Sequence, residues 1–312
     1  MEVFSIELRL LGEMSQLPDS QKVFGALMYF LVQNNYDVSK FVHEVKEGNT
    51  YFALSNVMPQ DYLPVPKSFI EYKARNIIND EGKAVYSALK NRDFAKKERL
   101  IKYQENPSAL QNICEEDDFI SLEIDQQVHI NTEGTDEDSG EEKNLIFSIQ
   151  KTNCNYNCAS AESKKFHFYI RCEENCEVIE ILKNNLKYIF TLGKRSSQGY
   201  NLFELISVTR NSDIEKLYTN EKNTYLNLGM LLPNEIYFTA KNSFLNLFSS
   251  ERRTFGSDKW NDEDNRGHFI SFIAPGSMVV SNDIMKAGKC VDSPNKKGEI
   301  VFGNAFLLPW EV

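Results

Sequence analysis

The chain has 312 residues, of which 41% are hydrophobic and 12% aromatic, and its formal net charge is −10. This length exceeds what one small core needs and predicts two domains of ordinary size. The chain starts without a basic segment followed by an apolar block and contains no run of about 18 apolar residues, so we expect a cytoplasmic protein without a signal peptide or membrane span.

The first part of the chain predicts a strand, a helix and a long excursion. Residues 3–11 alternate apolar and polar side chains, as a half-buried strand does. The segment QKVFGALMYFLVQNN has apolar residues at helical spacing, with Asp19 or Ser20 as its N-cap. Residues 50–72 contain three prolines and predict an extended loop, and residues 81–104 predict a helix with a basic face.

Residues 115–142 are acidic and hold twelve of the 45 Asp and Glu residues but no Lys or Arg. They predict a partly mobile insertion. The negative charge argues against a protein that binds nucleic acid over much of its surface, but the charge is screened beyond about 8–10 Å. The rest of the chain is nearly neutral, so its cations can form a local anion site.

The middle of the chain predicts a hairpin, a second helix and a further strand. Residues 144–150 and 165–171 predict the hairpin. CEVIEILKNNLKYIFTLG predicts a helix closed by Gly193, and NLFELISVT predicts a strand. Without the excursion the order is β-α-β-β-α-β, so the class is α+β with a ferredoxin-like (RRM-like) first domain.

The domain organisation follows from these elements. Residues 1–212 are predicted to form the first domain, with a long insertion at about 40–143 and a hairpin at 144–171. The polar stretch 209–224 predicts the boundary, and residues 213–312 predict a smaller β-rich domain. Its strand-like pieces are YLNLGMLLP, IYFTAK, HFISFIAPGSMVV and GEIVFGNAFLLPWEV.

The segment GKRSSQGYN, residues 193–201, is called the glycine loop below and predicts an anion site. Backbone N–H groups in a glycine-containing turn can point at phosphate oxygens. Lys194 and Arg195 add charge, and Ser196 and Ser197 add hydroxyl donors. A solvated turn after a helix explains the same residues. The order of residues is neither a Walker loop nor a dinucleotide fingerprint.

Four cysteines form two C-x3-C pairs, Cys154 with Cys158 and Cys172 with Cys176. They are candidate zinc ligands, which must converge at about 2.3 Å from the metal. A strand at 165–171 separates Cys158 from Cys172 by over about 20 Å, however, which favours reduced structural thiols. No other cofactor is expected.

Candidates for catalysis are weak. The four histidines lie in separate segments, without a neighbouring Ser, Cys or carboxylate in a recognised arrangement. His167, between Phe166 and Phe168, is predicted to face away from the core. A turn or N-cap role explains Asp19 better than acid catalysis.

Arg252 and Arg253, with Phe255 and Trp260 nearby, combine cations with aromatic rings. This combination suits RNA, through phosphate pairing and base stacking. A solvated turn is an equally good explanation.

Several motifs together resemble the RAMP superfamily of CRISPR proteins. The similarity is closest to the Cas-five-like subunit that caps the crRNA 5′ handle in type III-A (Csm) effector complexes. The family's first-helix motif is matched by Ser20, Lys22, Val23, Phe24, Gly25, Ala26 and Leu27, and its glycine-loop motif by Gly193, Lys194, Arg195, Ser196 and Gly199. LNLGMLLP, the Arg252–Arg253 turn and IAPGSMV, with Gly276 and Ser277, resemble its C-terminal features.

The chain departs from the family pattern at two places near these motifs. The glycine loop has Gln198 inserted, and Asn201 stands where a second glycine is expected. Leu10-Leu11-Gly12 replaces the His-Phe-Gly at the end of the first strand.

The resemblance implies two ferredoxin-like domains and a non-catalytic RNA-binding subunit. Such a subunit holds the crRNA 5′ handle, contacts the large polymerase-like subunit and the repeating backbone subunit, and inserts a thumb hairpin into the duplex of guide and target RNA. The residues implied to bind RNA are Ser20, Lys22, Gly193, Lys194, Arg195, Ser196, Ser197, Gly199, Tyr200, Arg252, Arg253, Gly276 and Ser277.

Two alternatives stay open. One is a RAMP endoribonuclease: a repeat-processing nuclease needs a histidine base, for which His43 is the candidate, and a target-slicing subunit needs a loop Asp, for which Asp19 is the candidate. The other is a protein-only scaffold, which the acidic insertion favours.

Overall fold

The structure is a computed structural model, and it describes residues 1–68, 99–102, 119–131, 145–155, 164–193, 196–219, 222–239, 243–251, 269–294 and 298–310. The α-helices are α1 (Ser20–Gln33), α2 (Val38–Glu47), α3 (Glu177–Asn184) and α4 (Ser212–Leu217). The strands before α4 are β1 (Glu2–Leu10), β2 (Phe52–Leu54), β3 (Met58–Pro59), β4 (Tyr62–Pro64), β5 (Arg99–Lys102), β6 (Phe119–Asn131), β7 (Leu145–Asn155), β8 (Lys165–Cys172), β9 (Ile189–Thr191) and β10 (Leu202–Arg210). Those after it are β11 (Thr224–Asn227), β12 (Leu247–Glu251), β13 (Phe269–Ile273), β14 (Met278–Val280), β15 (Val291–Asp292), β16 (Ile300–Val301) and β17 (Leu307–Pro309).

The central sheet is antiparallel and has the strand order β2-β8-β1-β10-β9, with β3 also paired to β8. Alternate residues of β1, including Ile6 and Leu8, point to one face and pack under the helices. Around this sheet the chain runs β1, α1, α2, β2, β8, α3, β10. The α+β class is therefore confirmed, and α2 is an addition that the sequence reading missed.

Helix α1 forms where its apolar spacing predicts. Asp19 is its N-cap, because the carboxylate accepts a hydrogen bond from Lys22 N at 3.0 Å. The buried stripe includes Phe24, whose ring stacks on Phe302 at a centroid distance of 4.2 Å. This aromatic pair helps to join the first helix to the last quarter of the chain.

The predicted hairpin of residues 144–150 with 165–171 is wrong. Strand β7 pairs instead with β6, from Ser121 opposite Asn155 to Asn131 opposite Leu145. Strand β8 pairs with β1, β2 and β3. Alternation of apolar and polar residues identifies a strand, but it does not identify the partner strand.

The acidic insertion contains a strand that the sequence did not predict. Its central residues 119–131 form β6, the longest strand among the described residues. With β4, β5 and β7 it builds a second sheet of order β4-β5-β6-β7. β4 belongs to the segment predicted as loop. β5 ends the segment predicted as a helix, whose residues 81–98 lie outside the described residues.

The second predicted helix is shorter than expected and is not closed by Gly193. It ends at Asn184, and a turn with Lys187 at a φ of 71° leads into β9. Phe190 of β9 packs in the core, with its ring 5.4 Å from that of Phe30 in α1. Burial of this aromatic residue favours a strand at the sheet edge over a longer helix.

The C-terminal part contains the three-stranded sheet β14-β11-β17 and the pairs β12-β13 and β15-β16. Beyond α4, which begins at the predicted domain boundary, its described residues contain no α-helix. This part packs closely on the first: Leu54 N donates to Asn304 O at 3.1 Å and Phe306 N donates to Leu54 O at 2.8 Å. Tyr169 and Phe306 share one hydrophobic core. In the described part of the chain, no helix is long and apolar enough to cross a membrane.

His167 points away from the core that holds Phe166 and Phe168, as predicted, but it is buried on the opposite face of β8 rather than exposed. Its side chain is 4% exposed, and its Nε2 atom has no hydrogen-bond partner in the described structure. The helices cover one face of β8, and the C-terminal part covers the other, where Tyr169 also lies. Burial lowers the pKa of His167 to about 4.

Acidification is expected to destabilise the protein through His167. The unfolded chain binds a proton near pH 6.5, whereas the folded chain binds it only near pH 4. The free energy of unfolding should therefore fall as the pH drops from about 7 to 4, by up to about 3 kcal/mol from this group. Urea unfolding of His167→Gln should show a flatter pH profile over this interval. His43 is exposed in α2 and serves as the control. The pH profile of His43→Gln should match that of the unsubstituted protein. Identical pH profiles for all three proteins would contradict the lowered pKa of His167.

Candidate nucleic-acid interface

The glycine loop connects β9 to β10 and is held closed by its own backbone. Leu192 N donates to Asn201 O at 3.0 Å. Residues Ser196–Gln198 form a 3-10 turn, which Gly199 N closes by donating to Ser196 O at 2.9 Å. Gly199 has a φ of 82°, in the left-handed region that favours glycine. Lys194 and Arg195 lie outside the described residues.

Asn201 fixes the end of this loop and was not among the residues predicted for the site. Its φ of 56° is left-handed, and its side chain is fully buried. The side-chain Oδ1 accepts from Ser15 N at 3.0 Å, and Nδ2 donates to Ser15 Oγ at 2.9 Å. Asparagine tolerates the left-handed region better than most residues, so it can replace the expected glycine there. An Asn where the family motif expects Gly was the signal in the sequence.

The loop rests on residues 11–15, called the first turn below, which follow β1. Asn201 N donates to Glu13 O at 2.8 Å. A Cβ atom on Gly12 would lie 2.1 Å from Gly199 O, and one on Gly193 would lie 2.8 Å from Asn201 Nδ2. Both glycines are therefore needed for a close approach of backbone to backbone or to a buried side chain.

Strand β7 is hydrogen-bonded to the first turn. Thr152 N donates to Met14 O at 2.7 Å, and Thr152 Oγ1 donates to Ser15 O at 2.7 Å. Lys151 forms an ion pair with Glu13. Hydrogen bonds from Lys151 and Tyr200 hold the pKa of the Glu13 carboxyl below its ordinary value. The one acidic side chain of the first turn is thus neutralised by a partner.

Polar groups of the loop remain available on this support. Ser197 is exposed and Ser196 is half-buried. Neither hydroxyl makes a hydrogen bond within the described part of the chain. Two hydroxyl donors next to a Lys-Arg pair in sequence, on a rigid base, can bind a phosphate oxygen.

The residues of α1 that were predicted to bind RNA, Ser20 and Lys22, lie away from the glycine loop and contact other residues of the protein. Ser20 is fully buried, and its hydroxyl accepts a hydrogen bond from Met230 N at 2.9 Å. Lys22 Nζ lies 3.3 Å from Asp19 Oδ2. The Ser20–Met230 hydrogen bond joins the start of α1 to the C-terminal part, and RNA binding by Ser20 and Lys22 stays a prediction.

Gly276 and Ser277 form a tight turn before β14. Gly276 has a φ of 80°, and its carbonyl accepts from Lys67 N at 2.9 Å. Ser277 is fully buried, and its Oγ accepts from Asn246 N at 2.9 Å. The turn therefore has a structural role. Arg252 and Arg253, which follow β12, lie outside the described residues.

Tyr200 of the glycine loop is buried and forms an isolated parallel β-bridge with Glu13 of the first turn. The described contacts thus place Gly199 and Tyr200 against the first turn, and Gly193, Ser196 and Ser197 belong to the same loop. The contacts place the α1 residues and the Gly276–Ser277 turn at other sites.

Of the zinc candidates that the structure describes, Cys172 and Cys176 lie together. A hydrogen bond between Cys172 and Cys176 raises the pKa of the Cys172 thiol and lowers that of Cys176. Cys154 lies in β7 opposite Leu122, and Cys158 lies outside the described residues. Among the residues that the structure describes, no three potential metal ligands form a group.

No protein-family model and no curated protein matches the sequence. Several solved structures are similar over the whole chain, among them the following three. A Csm1–Csm4 cassette in complex with pppApA is 15% identical, with a TM-score of 0.55 and coverage of 100% of this chain and 99% of that chain. The same cassette with cA4 is 14% identical, with a TM-score of 0.54 and coverage of 100% and 99%.

The third is a Csm3–Csm4 subcomplex of the type III-A CRISPR-Cas interference complex. It is 15% identical, with a TM-score of 0.53 and coverage of 100% of both chains. At this identity the similarity shows a shared fold. The chain has the fold of the Csm4 chains in these complexes, which confirms, for the fold, the resemblance found in the motifs.

Proposed function

We propose that this chain, which has the fold of Csm4 chains, is a non-catalytic RNA-binding subunit of a type III-A effector complex. It holds the crRNA 5′ handle and links the large polymerase-like subunit to the repeating backbone subunits. It comprises two ferredoxin-like domains, 1–212 and 213–312. The glycine loop is the observation that carries the proposal, since it is fixed on both sides while its hydroxyls stay available.

A rigid loop suits this task because a flexible one would lose conformational freedom on binding. Three backbone hydrogen bonds and the Asn201–Ser15 pair already hold the described part of the loop, residues 196–201, in place before RNA arrives. Binding energy is then not used to order the protein. Backbone amides and two cations would contact handle phosphates, and splayed bases would be read by edge contacts or stacking.

The similar structures support the proposed protein partners. Those Csm4 chains assemble with Csm1 in one set of structures and with Csm3 in another. We infer corresponding partners here, together with crRNA and target RNA. The role is binding without turnover, and incubation with repeat RNA and with guide-paired target tests it. Cleavage that is lost in Asp19→Ala or His43→Ala would favour the endoribonuclease alternative.

Replacing Lys194 and Arg195 together with Ala is expected to weaken crRNA binding by about ten- to a hundredfold at physiological salt. The slope of log affinity against log salt should fall by about two, because two phosphate contacts are removed. The measurement is crRNA retained by the purified complex, with filter binding at several salt concentrations.

The matched control removes two cations elsewhere. Lys183→Ala with Lys216→Ala takes the same charge from exposed sites in α3 and α4, where each lysine pairs with a nearby carboxylate. This control should retain crRNA, because exposed ion pairs contribute little. Equal crRNA occupancy in both double variants would refute the proposed role of the glycine loop.

A further inference from the structure

Two thiols outside the candidate interface lie together where β8 ends and α3 begins. Cys172 is the last residue of β8, and Cys176 is the N-cap of α3. A turn at residues 173–175 reverses the chain between them, with Asn175 at a left-handed φ of 60°. Both cysteines are free thiols, and both pack in the core between the central sheet and the helices. The fold therefore holds two reduced cysteines side by side across one short turn.

The two thiols differ in their access to solvent. Cys172 is fully buried, whereas Cys176 is half-buried. A small oxidant in solution can therefore reach Cys176, but it reaches Cys172 only if the fold opens. A stepwise oxidation needs this difference, because one cysteine reacts with the oxidant and a protected neighbour then reacts with the first.

The surroundings favour a thiolate at Cys176 and a thiol at Cys172. The hydrogen bond from the Cys172 thiol lowers the pKa of Cys176. The nearby backbone N–H groups of Val178 and Ile179, in the first turn of α3, lower it further, while burial and the Glu173 carboxylate act against ionisation. The same hydrogen bond, together with burial, raises the pKa of Cys172. The accessible cysteine is thus also the better nucleophile.

We propose that Cys172 and Cys176 form a redox-active pair, which a hydroperoxide oxidises reversibly to a disulfide. The Cys176 thiolate attacks a peroxide oxygen, the O–O bond breaks, and a sulfenic acid forms on Cys176. The hydroxide released takes up the proton that Cys176 had lost. Cys172 then attacks the sulfenic sulfur, the S–S bond forms, and the hydroxyl group leaves as water with the Cys172 proton. The two cysteines lose two electrons, the peroxide gains them, and two water molecules are formed.

The reaction replaces a contact between thiols by a covalent bond between the central sheet and α3. Val178, Ile179 and Leu182 of this helix are buried against the sheet. The disulfide would restrain the helix at its first turn, and a dithiol reductant would restore the two thiols. This inference goes beyond the proposed function and does not depend on RNA binding.

The test treats the full-length protein with hydrogen peroxide, once folded and once unfolded in urea. Free thiols are then alkylated with iodoacetamide, and the protein is digested with trypsin. Because trypsin cleaves after Arg171 and Lys183, one peptide of residues 172–183 carries both cysteines. Mass spectrometry separates its disulfide form, without alkyl groups, from its dialkylated dithiol form. Cys290 is the internal control, since it is a buried thiol whose pKa is raised by burial to about 11.

Two variants separate the roles of the cysteines, and each is first checked by thermal unfolding. Cys172→Ala removes the resolving thiol, so a sulfenic acid should accumulate on Cys176 and be trapped by dimedone. Cys176→Ala removes the nucleophile, so the buried Cys172 should stay reduced. If either variant fails to fold, the rates of the unsubstituted protein still decide the question.

We expect the disulfide to form at least about fivefold faster in the folded protein than in the unfolded chain, because the fold favours the thiolate and holds the two sulfurs in contact. Cys290 should stay reduced in the folded protein, and dithiothreitol should reverse the reaction. Equal rates in the folded and unfolded protein would overturn the inference. So would oxidation of Cys176 to a sulfinic acid without a disulfide, or stoichiometric zinc bound to the two thiols.

Discussion

Gly12→Ala is expected to lower the free energy of unfolding by about 3 kcal/mol or more. The added Cβ would lie 2.1 Å from the carbonyl oxygen of Gly199, and its three nearest neighbours are all backbone atoms of Gly199. Rotation of a side chain cannot relieve the clash. Relief requires the first turn to move off the glycine loop, which breaks the bond from Asn201 N to Glu13 O. Affinity for crRNA should fall with stability, because the loop loses its support.

The measurement is urea unfolding, followed by crRNA titration of the folded fraction. Gly25→Ala is the matched control: Gly25 is exposed in α1, and an added Cβ would meet nothing within 4 Å. Its stability should stay the same or rise by up to about 1 kcal/mol, because Ala has the higher helix propensity. A Gly12→Ala protein as stable as Gly25→Ala would mean that the loop and turn are not packed as described.

Asn201→Ala is expected to lower the free energy of unfolding by about 3 kcal/mol. Holding Ala at a left-handed φ costs about 1–2 kcal/mol. Loss of the buried amide leaves Ser15 N and Oγ without their partner, which costs about 1–3 kcal/mol. Asn201→Gly loses the same hydrogen bonds but tolerates the φ, so it should be less destabilised than Asn201→Ala.

Thermal and urea unfolding of the two Asn201 variants separate the backbone effect from the side-chain effect. Adding Ser15→Ala to each then measures the coupling between the two residues. The Ser15 substitution should have little further effect in either Asn201 variant. Fully additive losses would show that the Asn201–Ser15 hydrogen bonds do not form.

The candidate site was found in part from the sequence. The glycines, cations and hydroxyls of the glycine loop were identified from local composition. Ser20 and Ser277 were grouped with them through the family motif, yet both hydroxyls bond inside the protein. Residue type shows that a hydroxyl can donate or accept, but only packing shows whether its partner is protein or ligand.

Local signals determined β1, α1 with its Asp19 cap, β10 and the presence of the glycine loop, because capping and periodicity depend on neighbours a few residues apart. Tertiary structure alone decided that β7 pairs with β6, that both faces of β8 are covered so that His167 is buried, and that Asn201 bonds to Ser15. These outcomes depend on residues tens to almost two hundred positions apart, brought together by the burial of apolar surface. That driving force is not directional, so one sequence segment cannot specify its distant partner.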